Sequence, residues 1–359
     1  MIRRNFFKLA GLGLLGLITS DYTPKNSANF IFSKEQINKN SKKTIAKEFS
    51  RLPSLTYYDI NHKPIEWKYA AEGLGFSRTE IYRDKELVDI IATIKINPKI
   101  NKIRVFNGNN NKSIENRSIE SWQEKTGALA MINANQYMAK PLHYPCALVI
   151  CDGVQKGPKY NKTSRGMLVA EPKDLEGKLK KADILDFDFN PETGEKTYYS
   201  EKTDYIRYDG DTNKTKRDFY QEIKENYIDN YSQGVQHWPI LLDREGKIKV
   251  KETTWQANRT VVAKTKEDDI LFMTTEGGYF TLYNFGRFLK ESNERADKGF
   301  NVHTAMNMDG GYEAEMVVKT PNISYVTYGE FETQGKGKNL TIFNIKINLP
   351  GVIGVFPRD

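Results

Sequence analysis

The chain has 359 residues, enough for one large or two ordinary domains, and its 38% hydrophobic and 28% charged content suits a globular protein with a polar surface. Its formal net charge of +8 is a mild bias toward anionic partners. No run of basic residues with interleaved aromatics occurs, so we expect no nucleic-acid partner. The 20 tyrosines and 18 phenylalanines favour a strand-rich fold.

Residues 1–20 predict a signal for export. Residues 3–8 read RRNFFK, the twin-arginine arrangement of two arginines, a polar residue, two apolar residues and a lysine. The apolar run at residues 9–18 is shorter than the ~20 residues of a membrane span. We therefore expect the twin-arginine machinery to export a folded protein to the periplasm, cell envelope or medium, membrane-tethered if the signal is uncleaved. An ordinary secretory signal is the alternative, and no further membrane span is expected.

Replacement of both arginines of this signal by lysine is expected to abolish export. The twin-arginine machinery recognises the arginine pair itself, whereas an ordinary secretory signal needs only positive charge. The measurement is the distribution of the protein between cytoplasmic and exported fractions, with Lys8→Arg as the charge-preserving control. Undiminished export of the double lysine variant would assign the signal to the ordinary secretory route.

The rest of the chain divides by composition. Residues 21–52 are rich in lysine, asparagine and serine, which predicts a polar linker. Residues 53–359 predict a single large α+β domain with mixed, mostly antiparallel sheets and a few flanking helices. Ser118 and Thr281 stand where the N-caps of two helices are expected. Residues 171–232 are more highly charged and tyrosine-rich, and we interpret them as an insertion or lid beside the main sheets.

Several polar residues come at the ends of predicted apolar strands. Asn133 and Asn135 end the strand around residues 128–132, and their spacing of two places both amides on the same side. Arg259 leads into another apolar strand, which is costly unless the guanidinium meets an anionic ligand or a structural carboxylate. Glu276 follows a third strand, directly before two glycines. Groups at strand ends of this kind often bind ligands.

The turn that begins with Asp309 is the strongest candidate. Gly310 and Gly311 follow it, and glycine permits positive φ and close backbone approach. A carboxylate there can lie beside a ligand, although a hairpin turn without chemistry has the same sequence. Glu313 adds a second carboxyl, and repulsion among these acids predicts a raised pKa or a bound cation such as calcium. We favour the raised pKa, and strand alternation places Glu315 on the surface.

Cys146 and Cys151 are predicted to be buried free thiols. If one strand joins them, five residues of rise separate them by roughly 16 Å. A disulfide requires Cα atoms within about 7 Å of each other. The four histidines are scattered, so we expect no Cys/His metal site and no cofactor.

The order of these motifs resembles the phosphodiester glycosidase family over roughly residues 60–358. The similarity includes an asparagine-ending strand, an Asn-Arg-Thr strand, an acidic glycine turn before a Thr-Leu helix, an Asp-Gly-Gly turn and a closing strand. These motifs lie at residues 131–135, 258–261, 276–277, 308–311 and 349–355. Family members usually have small residues and serine where Tyr312 to Glu315 stand here.

The resemblance implies an exported hydrolase that cleaves the glycosidic bond of a sugar-1-phosphodiester in an envelope or extracellular glycan. Such chemistry uses two carboxyls, here Asp309 and Glu276, and Arg259 would bind the phosphate. The substrate-binding residues predicted beside them are Asn133, Asn135, Gln236, Gly310, Gly311 and Glu313. A non-catalytic glycan-binding domain of the cell envelope, using the same cleft, is the alternative.

Overall fold

The structure is a computed structural model. It describes residues 60–108, 118–138, 144–158, 164–173, 177–187, 197–199, 205–208, 213–215, 221, 224–225, 228–252, 255–294, 299–334, 340–344 and 346–358. All of them belong to one compact unit, Glu48–Asp359. The predicted signal and linker lie outside the described residues. Within the described part, no helix has both the length and the apolar character needed to span a membrane.

The described residues form many short strands and two α-helices. The strands of the first half are β1 (Ile60–His62), β2 (Lys68–Ala71), β3 (Leu74–Arg83), β4 (Glu86–Ile96), β5 (Asn101–Asn107), β6 (Ala130–Asn133), β7 (Tyr137–Met138), β8 (Tyr144–Pro145), β9 (Val149–Cys151), β10 (Val154–Lys156), β11 (Gly166–Pro172) and β12 (Ala182–Asp186). Those of the second half are β13 (Thr197–Tyr199), β14 (Tyr205–Tyr208), β15 (Asn213–Thr215), β16 (Tyr231–His237), β17 (Ile240–Leu242), β18 (Thr260–Thr265), β19 (Ile270–Thr275), β20 (Val302–Asn307), β21 (Met316–Lys319), β22 (Ser324–Thr327), β23 (Glu330–Gln334), β24 (Leu340–Asn344) and β25 (Gly351–Pro357). The helices are α1 (Ile119–Thr126) and α2 (Leu282–Glu294).

Three large sheets make up most of the fold. The largest has eight strands in the order β1-β3-β4-β19-β18-β20-β17, with β2 paired to β3. Two five-stranded sheets have the orders β10-β9-β16-β11-β12 and β22-β21-β6-β25-β5, and three small sheets are β13-β14-β15, β23-β24 and β7-β8. Every strand pair in the described residues is antiparallel. The antiparallel prediction is confirmed, but the fold is mainly β, with fewer helices than the α+β prediction implies.

The main hydrophobic core lies where the three large sheets face one another. The eight-stranded sheet contributes Ile94 and Phe272, and the five-stranded sheets contribute Leu168, Ile132 and Ile353, all of them buried. Burying apolar surface of this kind contributes roughly 25 cal/mol per Å². Because these side chains form one buried cluster, the other two sheets cover this face of the eight-stranded sheet.

Helix α2 covers the opposite face of the eight-stranded sheet. Phe285, Phe288 and Leu289 are three and four residues apart, so they lie on one side of the helix, and all are buried against this sheet. Thr281 accepts a hydrogen bond from the backbone N–H of Asn284 at 3.0 Å, which confirms the predicted N-cap. Strands β18 and β19 are buried along their whole length because both faces of the sheet are covered.

The predicted cap of α1 is also confirmed. Ser118 accepts a hydrogen bond from the N–H of Ser121, and Gly127 ends the helix in the left-handed conformation. Trp122 is buried, and its indole N–H donates to the carbonyl of Leu349 at 3.0 Å. Helix α1 is thereby fixed against the sheet that contains β6 and β25.

Antiparallel pairing brings three chain segments to one edge of the eight-stranded sheet. Strand β18 begins where β19 and β20 end, since Thr260 pairs with Thr274 and Val261 pairs with Asn307. Residues just before β18, just after β19 and just after β20 are consequently neighbours. The candidate residues Arg259, Glu276 and Asp309 all lie at this edge.

Candidate active site

The turn after β20 carries the chain from the eight-stranded sheet into a five-stranded sheet. Asp309 and Gly310 leave β20, and a 3-10 turn, Gly311–Glu313, leads toward β21. Gly311 has φ of 72°, which glycine adopts without steric cost. The N–H of Gly311 donates to the carbonyl of Asn258 at 2.9 Å. The turn therefore joins two sheets and is not the simple hairpin that was the alternative.

Gly310→Ala is expected to displace this turn. A Cβ at Gly310 would lie 2.8 Å from the carbonyl oxygen of Asn258, closer than real Cβ contacts. We expect a loss of about 1–3 kcal/mol in the free energy of unfolding, as for other overpacked sites, together with most of the activity. Gly278→Ala is the matched control, because its Cβ would meet nothing closer than 3.7 Å. Urea unfolding of both variants gives the comparison, and equal stabilities would refute the close approach.

Asp309 and Glu313 form a hydrogen-bonded carboxyl pair, which we call the acid pair. Burial and the charge of Asp309 raise the pKa of Glu313 well above its usual range. Burial also raises the pKa of Asp309, while hydrogen bonds from Glu313 and from the N–H of Gly310, at 3.1 Å, hold it down. Burial and the mutual hydrogen bond therefore favour a shared proton on the acid pair.

Asn133 holds the Asp309 turn in place. Its amide nitrogen donates to the backbone carbonyl of Asp309 at 2.7 Å. Its amide oxygen accepts from the hydroxyl of Thr260 at 2.7 Å and from the N–H of Glu315 at 3.2 Å. Asn133 was predicted to contact substrate, whereas these bonds use its amide to brace the backbone of the turn.

Asn135 lies beside the same turn. The N–H of Asp309 points to the carbonyl of Ala134 at 3.4 Å, which places Asn135 next to the acid pair. Asn135 is 3% exposed, and neither of its amide atoms has a hydrogen-bond partner in the described residues. Burial, and then the charge of Asp309, raise the pKa of the Cys146 thiol to about 11. Asn135 and Cys146 are thus two of the neutral polar groups near the acid pair.

Both cysteines are free, as predicted. Cys151 is buried, but Cys146 is only partly buried, in contrast to the prediction. Cys146 follows β8, whereas Cys151 ends β9, so the two do not share one strand.

Arg259 is a partly buried cation at the same sheet edge. Its Nε donates to the carbonyl of Phe280 at 3.0 Å and one Nη donates to the carbonyl of Trp255 at 2.8 Å. A Cβ on Gly310 would lie 3.9 Å from Arg259 Cδ, so the guanidinium stem runs along the Asp309 turn. Burial lowers the pKa of Arg259 to about 10, and no carboxylate of the described residues offsets that burial. Such a cation is suited to an anionic ligand.

The side chain of Glu276 is bound by Arg78 and Tyr325 rather than by the acid pair. Its two carboxylate oxygens each accept a hydrogen bond of 2.6 Å from Arg78, and one also accepts from the hydroxyl of Tyr325 at 2.7 Å. Glu276 is not among the groups that shift the pKa of Asp309. The carboxyl paired with Asp309 is therefore Glu313, and the predicted pairing of Asp309 with Glu276 is not what the structure contains.

Asp89 supports the glycine turn after Glu276. It is buried, and its carboxylate accepts hydrogen bonds from the N–H groups of Gly277, at 2.7 Å, and Tyr279, at 3.2 Å. Burial raises the pKa of Asp89 well above its usual range. The sequence analysis missed Asp89 because a single aspartate inside an apolar strand carries no local signal for a partner so far along the chain.

Gln236 joins two backbone segments of its own sheet. Its amide nitrogen donates to the carbonyl of Ser164 at 2.9 Å, and its amide oxygen accepts from the N–H of Leu148 at 3.2 Å. The residue is fully buried. These bonds give Gln236 a structural role, although it was predicted to bind substrate.

Glu315 is buried rather than on the surface, and the alternation argument was wrong here. The 3-10 turn at Gly311–Glu313 interrupts the extended chain, so the alternation of side chains does not continue through it. Strand β21 begins only at Met316, and Glu315, which precedes it, faces inward. One carboxyl oxygen accepts from the N–H of Ile347 at 3.4 Å, and the other has no partner in the described residues. Burial raises the pKa of Glu315 well above its usual range.

Glu315→Gln is expected to stabilise the protein above neutral pH. A raised carboxyl pKa in the folded state means that the unfolded chain releases this proton first, so stability falls as pH rises above about 4.5. Glutamine has no proton to release in this range, so the variant does not lose stability in this way. One pKa unit is worth about 1.4 kcal/mol, so the gain in the free energy of unfolding should be on the order of 1 kcal/mol or more.

Urea unfolding from pH 4 to pH 8 measures this effect. The stability difference between variant and parent should vanish near pH 4 and grow with pH. Glu124→Gln, at an exposed position, is the control and should show no such trend. A difference that does not depend on pH would contradict the raised pKa.

The described residues contain no group of three or more histidine, cysteine, aspartate or glutamate side chains arranged to hold a metal ion.

The comparisons with known proteins agree with the motif order. Residues 186–356 match the family model described as phosphodiester glycosidase. The match contains Arg259, Glu276 and Asp309, whereas Asn133 and Asn135 precede it. No curated protein matches the chain.

Two solved structures are similar at low identity. The catalytic domain of zebrafish N-acetylglucosamine-1-phosphodiester alpha-N-acetylglucosaminidase, auto-inhibited by its pro-peptide, is 14% identical with a TM-score of 0.46, covering 86% of each chain. A hypothetical protein from Synechocystis is 11% identical with a TM-score of 0.45, and the match covers 82% of this chain and 64% of that protein. The match of residues 186–356 to the phosphodiester glycosidase family model confirms, for that part of the chain, the resemblance predicted from the sequence motifs.

Proposed function

We propose that the protein is an exported hydrolase that cleaves the bond between the anomeric carbon of a sugar and a phosphodiester. One observation carries this proposal: the Asp309 turn holds two buried, hydrogen-bonded carboxyls and packs against the stem of a partly buried arginine that has no carboxylate partner in the described residues. The family of residues 186–356 agrees with it. The twin-arginine signal supports export to the cell envelope or beyond.

Arg259 would bind the phosphate. Its guanidinium carries a charge that no carboxylate of the described residues offsets, and a guanidinium matches the geometry of phosphate oxygens. When the sugar–oxygen bond breaks, the leaving group is a phosphate monoester whose second pKa is about 6. Arg259 and one proton therefore suffice to stabilise it.

The acid pair would supply that proton. Its two carboxyls are hydrogen-bonded, so they are closer than the ~5 Å that separates the carboxyls of retaining glycosidases. They cannot stand on opposite sides of a sugar, and they act as one unit that releases a proton from Glu313 through Asp309. After release, the two carboxylates repel each other and readily take a proton back.

Glu276 has a different role in this assignment. Its bidentate bond to Arg78 and the hydroxyl bond from Tyr325 hold its side chain in an ion pair. Asn135 is one of the neutral polar groups near the acid pair. We assign Asn135 to the sugar, because its buried amide has both a donor and an acceptor without partners in the described residues.

A screen of the purified protein against sugar-1-phosphodiesters tests the proposal. The zebrafish structure's title names N-acetylglucosamine-1-phosphodiester, so that compound is the first to assay. Release of free sugar is the expected result, with and without EDTA. Tight binding of the glycans with no turnover would favour the rival function, a glycan-binding domain of the cell envelope. Loss of activity in EDTA, restored by calcium, would assign the carboxyls to a metal ion.

A further inference from the structure

Two backbone carbonyls determine the orientation of the Arg259 guanidinium. Its Nε donates to the carbonyl of Phe280 at 3.0 Å, and one terminal nitrogen donates to the carbonyl of Trp255 at 2.8 Å. We call these two carbonyls the arginine cradle. In the described residues the side chain makes no further hydrogen bond, so the second terminal nitrogen keeps its N–H groups for a ligand. The plane of the guanidinium is thus fixed before a ligand binds.

The segment before β18 and the segment before α2 hold the arginine cradle together. The N–H of Ala257 donates to the carbonyl of Phe280 at 3.3 Å, and the side-chain amide of Gln256 donates to the carbonyl of Tyr279 at 2.8 Å. The ring of Phe280 is buried, with its centroid 4.9 Å from that of Phe285. The core therefore fixes the side chain of Phe280, and the turn that precedes this residue sets the direction of its backbone.

Asp89 binds that turn directly. It lies in β4 and is only 3% exposed. One carboxylate oxygen accepts the N–H of Gly277 at 2.7 Å, and the other accepts the N–H of Tyr279 at 3.2 Å. The first oxygen also accepts the N–H of Ile90 at 2.7 Å. A single side chain of a neighbouring strand thus binds two N–H groups of the turn, and each of them uses a different oxygen.

Gly277 brings the same turn close to Asp89 and ties it to Arg259. A Cβ at Gly277 would lie 3.0 Å from a carboxylate oxygen of Asp89, which is tighter than most real contacts. The carbonyl of Gly277 accepts the hydroxyl of Thr275 at 2.9 Å, and this hydroxyl oxygen accepts the N–H of Arg259 at 2.9 Å. The turn is consequently bonded to Asp89 on one side and to the backbone of Arg259 on the other.

Hydrogen bonds therefore lead without a gap from Asp89 to the guanidinium. Asp89 holds the N–H of Tyr279, and the carbonyl of the next residue, Phe280, holds Nε of Arg259. We propose that Asp89 is a positioning residue that acts through the turn at residues 277–280 and sets the orientation in which Arg259 binds the phosphate of the substrate. The identity of the ligand as a phosphate rests on the proposed function, whereas the positioning of the guanidinium does not.

Asp89→Asn removes one acceptor at nearly constant shape. An amide has one oxygen and one NH2 group, so the N–H of either Gly277 or Tyr279 would face a donor. A buried donor without an acceptor costs free energy, and movement of the turn relieves that cost. We therefore expect the carbonyl of Phe280 to shift and its bond to Arg259 Nε to weaken in a chain that remains folded.

Asp183→Asn is the control for a general loss of stability. Asp183 is also buried, and its two oxygens accept from Lys264 at 2.7 Å and from Arg244 at 3.3 Å. Lys264 lies near the end of β18 that is remote from Arg259. The control should therefore weaken the fold without affecting the arginine cradle.

Nitrogen-15 NMR of the arginine Nε–H groups in the free protein provides the first test. A hydrogen-bonded, buried Nε–H exchanges its hydrogen with water slowly, whereas an exposed one exchanges fast. The Arg259 signal, assigned with Arg259→Lys, should exchange about tenfold faster in Asp89→Asn than in the parent, as expected for loss of one hydrogen bond. In Asp183→Asn it should be unchanged, which a merely structural role of Asp89 does not predict.

Gly277→Ala repeats the test with the carboxylate intact. The added methyl group separates the turn from Asp89, so the Arg259 Nε–H should again exchange faster. Gly278→Ala is its control, because a Cβ there meets nothing closer than 3.7 Å. In the parent alone, an Arg259 Nε–H that exchanges as fast as that of the half-exposed Arg104 would overturn the proposal.

Binding of inorganic phosphate provides the second test. Calorimetry should give a Kd about tenfold higher for Asp89→Asn than for the parent, because the orientation of the guanidinium is lost. Asp183→Asn should bind phosphate as the parent does. With the cleaved phosphodiester, the loss in Asp89→Asn should appear mainly as a higher KM, since the acid pair is unchanged.

The outcomes separate this proposal from the proposed function. Unchanged exchange of the Arg259 Nε–H in both Asp89→Asn and Gly277→Ala overturns the positioning role. Faster exchange with an unchanged Kd for phosphate also overturns it, because the orientation would then have no effect on binding. If the parent neither binds phosphate nor cleaves a sugar-1-phosphodiester, the proposed function fails, and the exchange rates alone decide whether Asp89 positions Arg259.

Discussion

Asp309→Asn is expected to lower kcat by on the order of 10²-fold or more, because asparagine cannot pass a proton to the leaving phosphate. The fold should persist, since the backbone bonds of the turn to Asn133 and Asn258 do not involve the carboxyl. The change also removes the negative charge that helps to raise the pKa of Glu313. The alkaline limb of the kcat profile should therefore move to lower pH in any residual activity.

Two matched variants make the result specific. Asp152→Asn alters another aspartate that precedes a glycine in a turn, but its carboxylate forms a surface ion pair with Arg104 and should not affect kcat. Glu276→Gln compares the two assignments of the catalytic carboxyls. If Asp309 and Glu313 are the catalytic carboxyls, Glu276→Gln should lower kcat by less than about tenfold. A 10²-fold loss in Glu276→Gln with full activity in Asp309→Asn would reverse the roles.

Arg259→Lys is expected to lower kcat/KM about 10²-fold, within the 2–5 kcal/mol that follows removal of one partner from a buried charge pair. Lysine keeps the charge, but it cannot bind two phosphate oxygens in the planar geometry of a guanidinium. Its three donors also share one nitrogen, whereas two separate nitrogens of Arg259 reach the carbonyls of Phe280 and Trp255. Initial rates on the cleaved phosphodiester, with stability measured in parallel, give the comparison.

Arg104→Lys is the control for this change. Arg104 is half exposed and pairs with Asp152 on the surface, so its replacement should leave kcat/KM unaltered. A second comparison uses inorganic phosphate as an inhibitor, which should bind the parent more tightly than Arg259→Lys. Equal inhibition of the two proteins would show that Arg259 does not contact the phosphate.

Local sequence signals predicted the backbone of the site but not the bonds between its side chains. Asp309 with two glycines, and Arg259 before an apolar strand, are visible because glycine and a cation at a strand end each carry a local physical meaning. The partner of Glu276 is Arg78, 198 residues away in the chain, and no local pattern indicates such a pair. The choice of Glu313 as the partner of Asp309 depends on the 3-10 turn between them.

The fold was predictable to a similar degree. Caps at Ser118 and Thr281 follow from side-chain oxygens that bind free N–H groups, a purely local effect. The assembly of three antiparallel sheets around one core depends on pairings between distant strands, such as β6 with β25. Burial of Glu315 escaped the alternation argument because a single irregular turn reverses the phase of the strand that follows.

The position of bond cleavage tests the central claim most directly. Hydrolysis of N-acetylglucosamine-1-phosphodiester in water enriched in oxygen-18, followed by mass spectrometry of the phosphate product, shows which bond breaks. Attack at the anomeric carbon leaves the phosphate monoester without label, and this is the result that Arg259 and the acid pair predict. Incorporation of oxygen-18 into the phosphate would mean attack at phosphorus and would contradict a glycosidase.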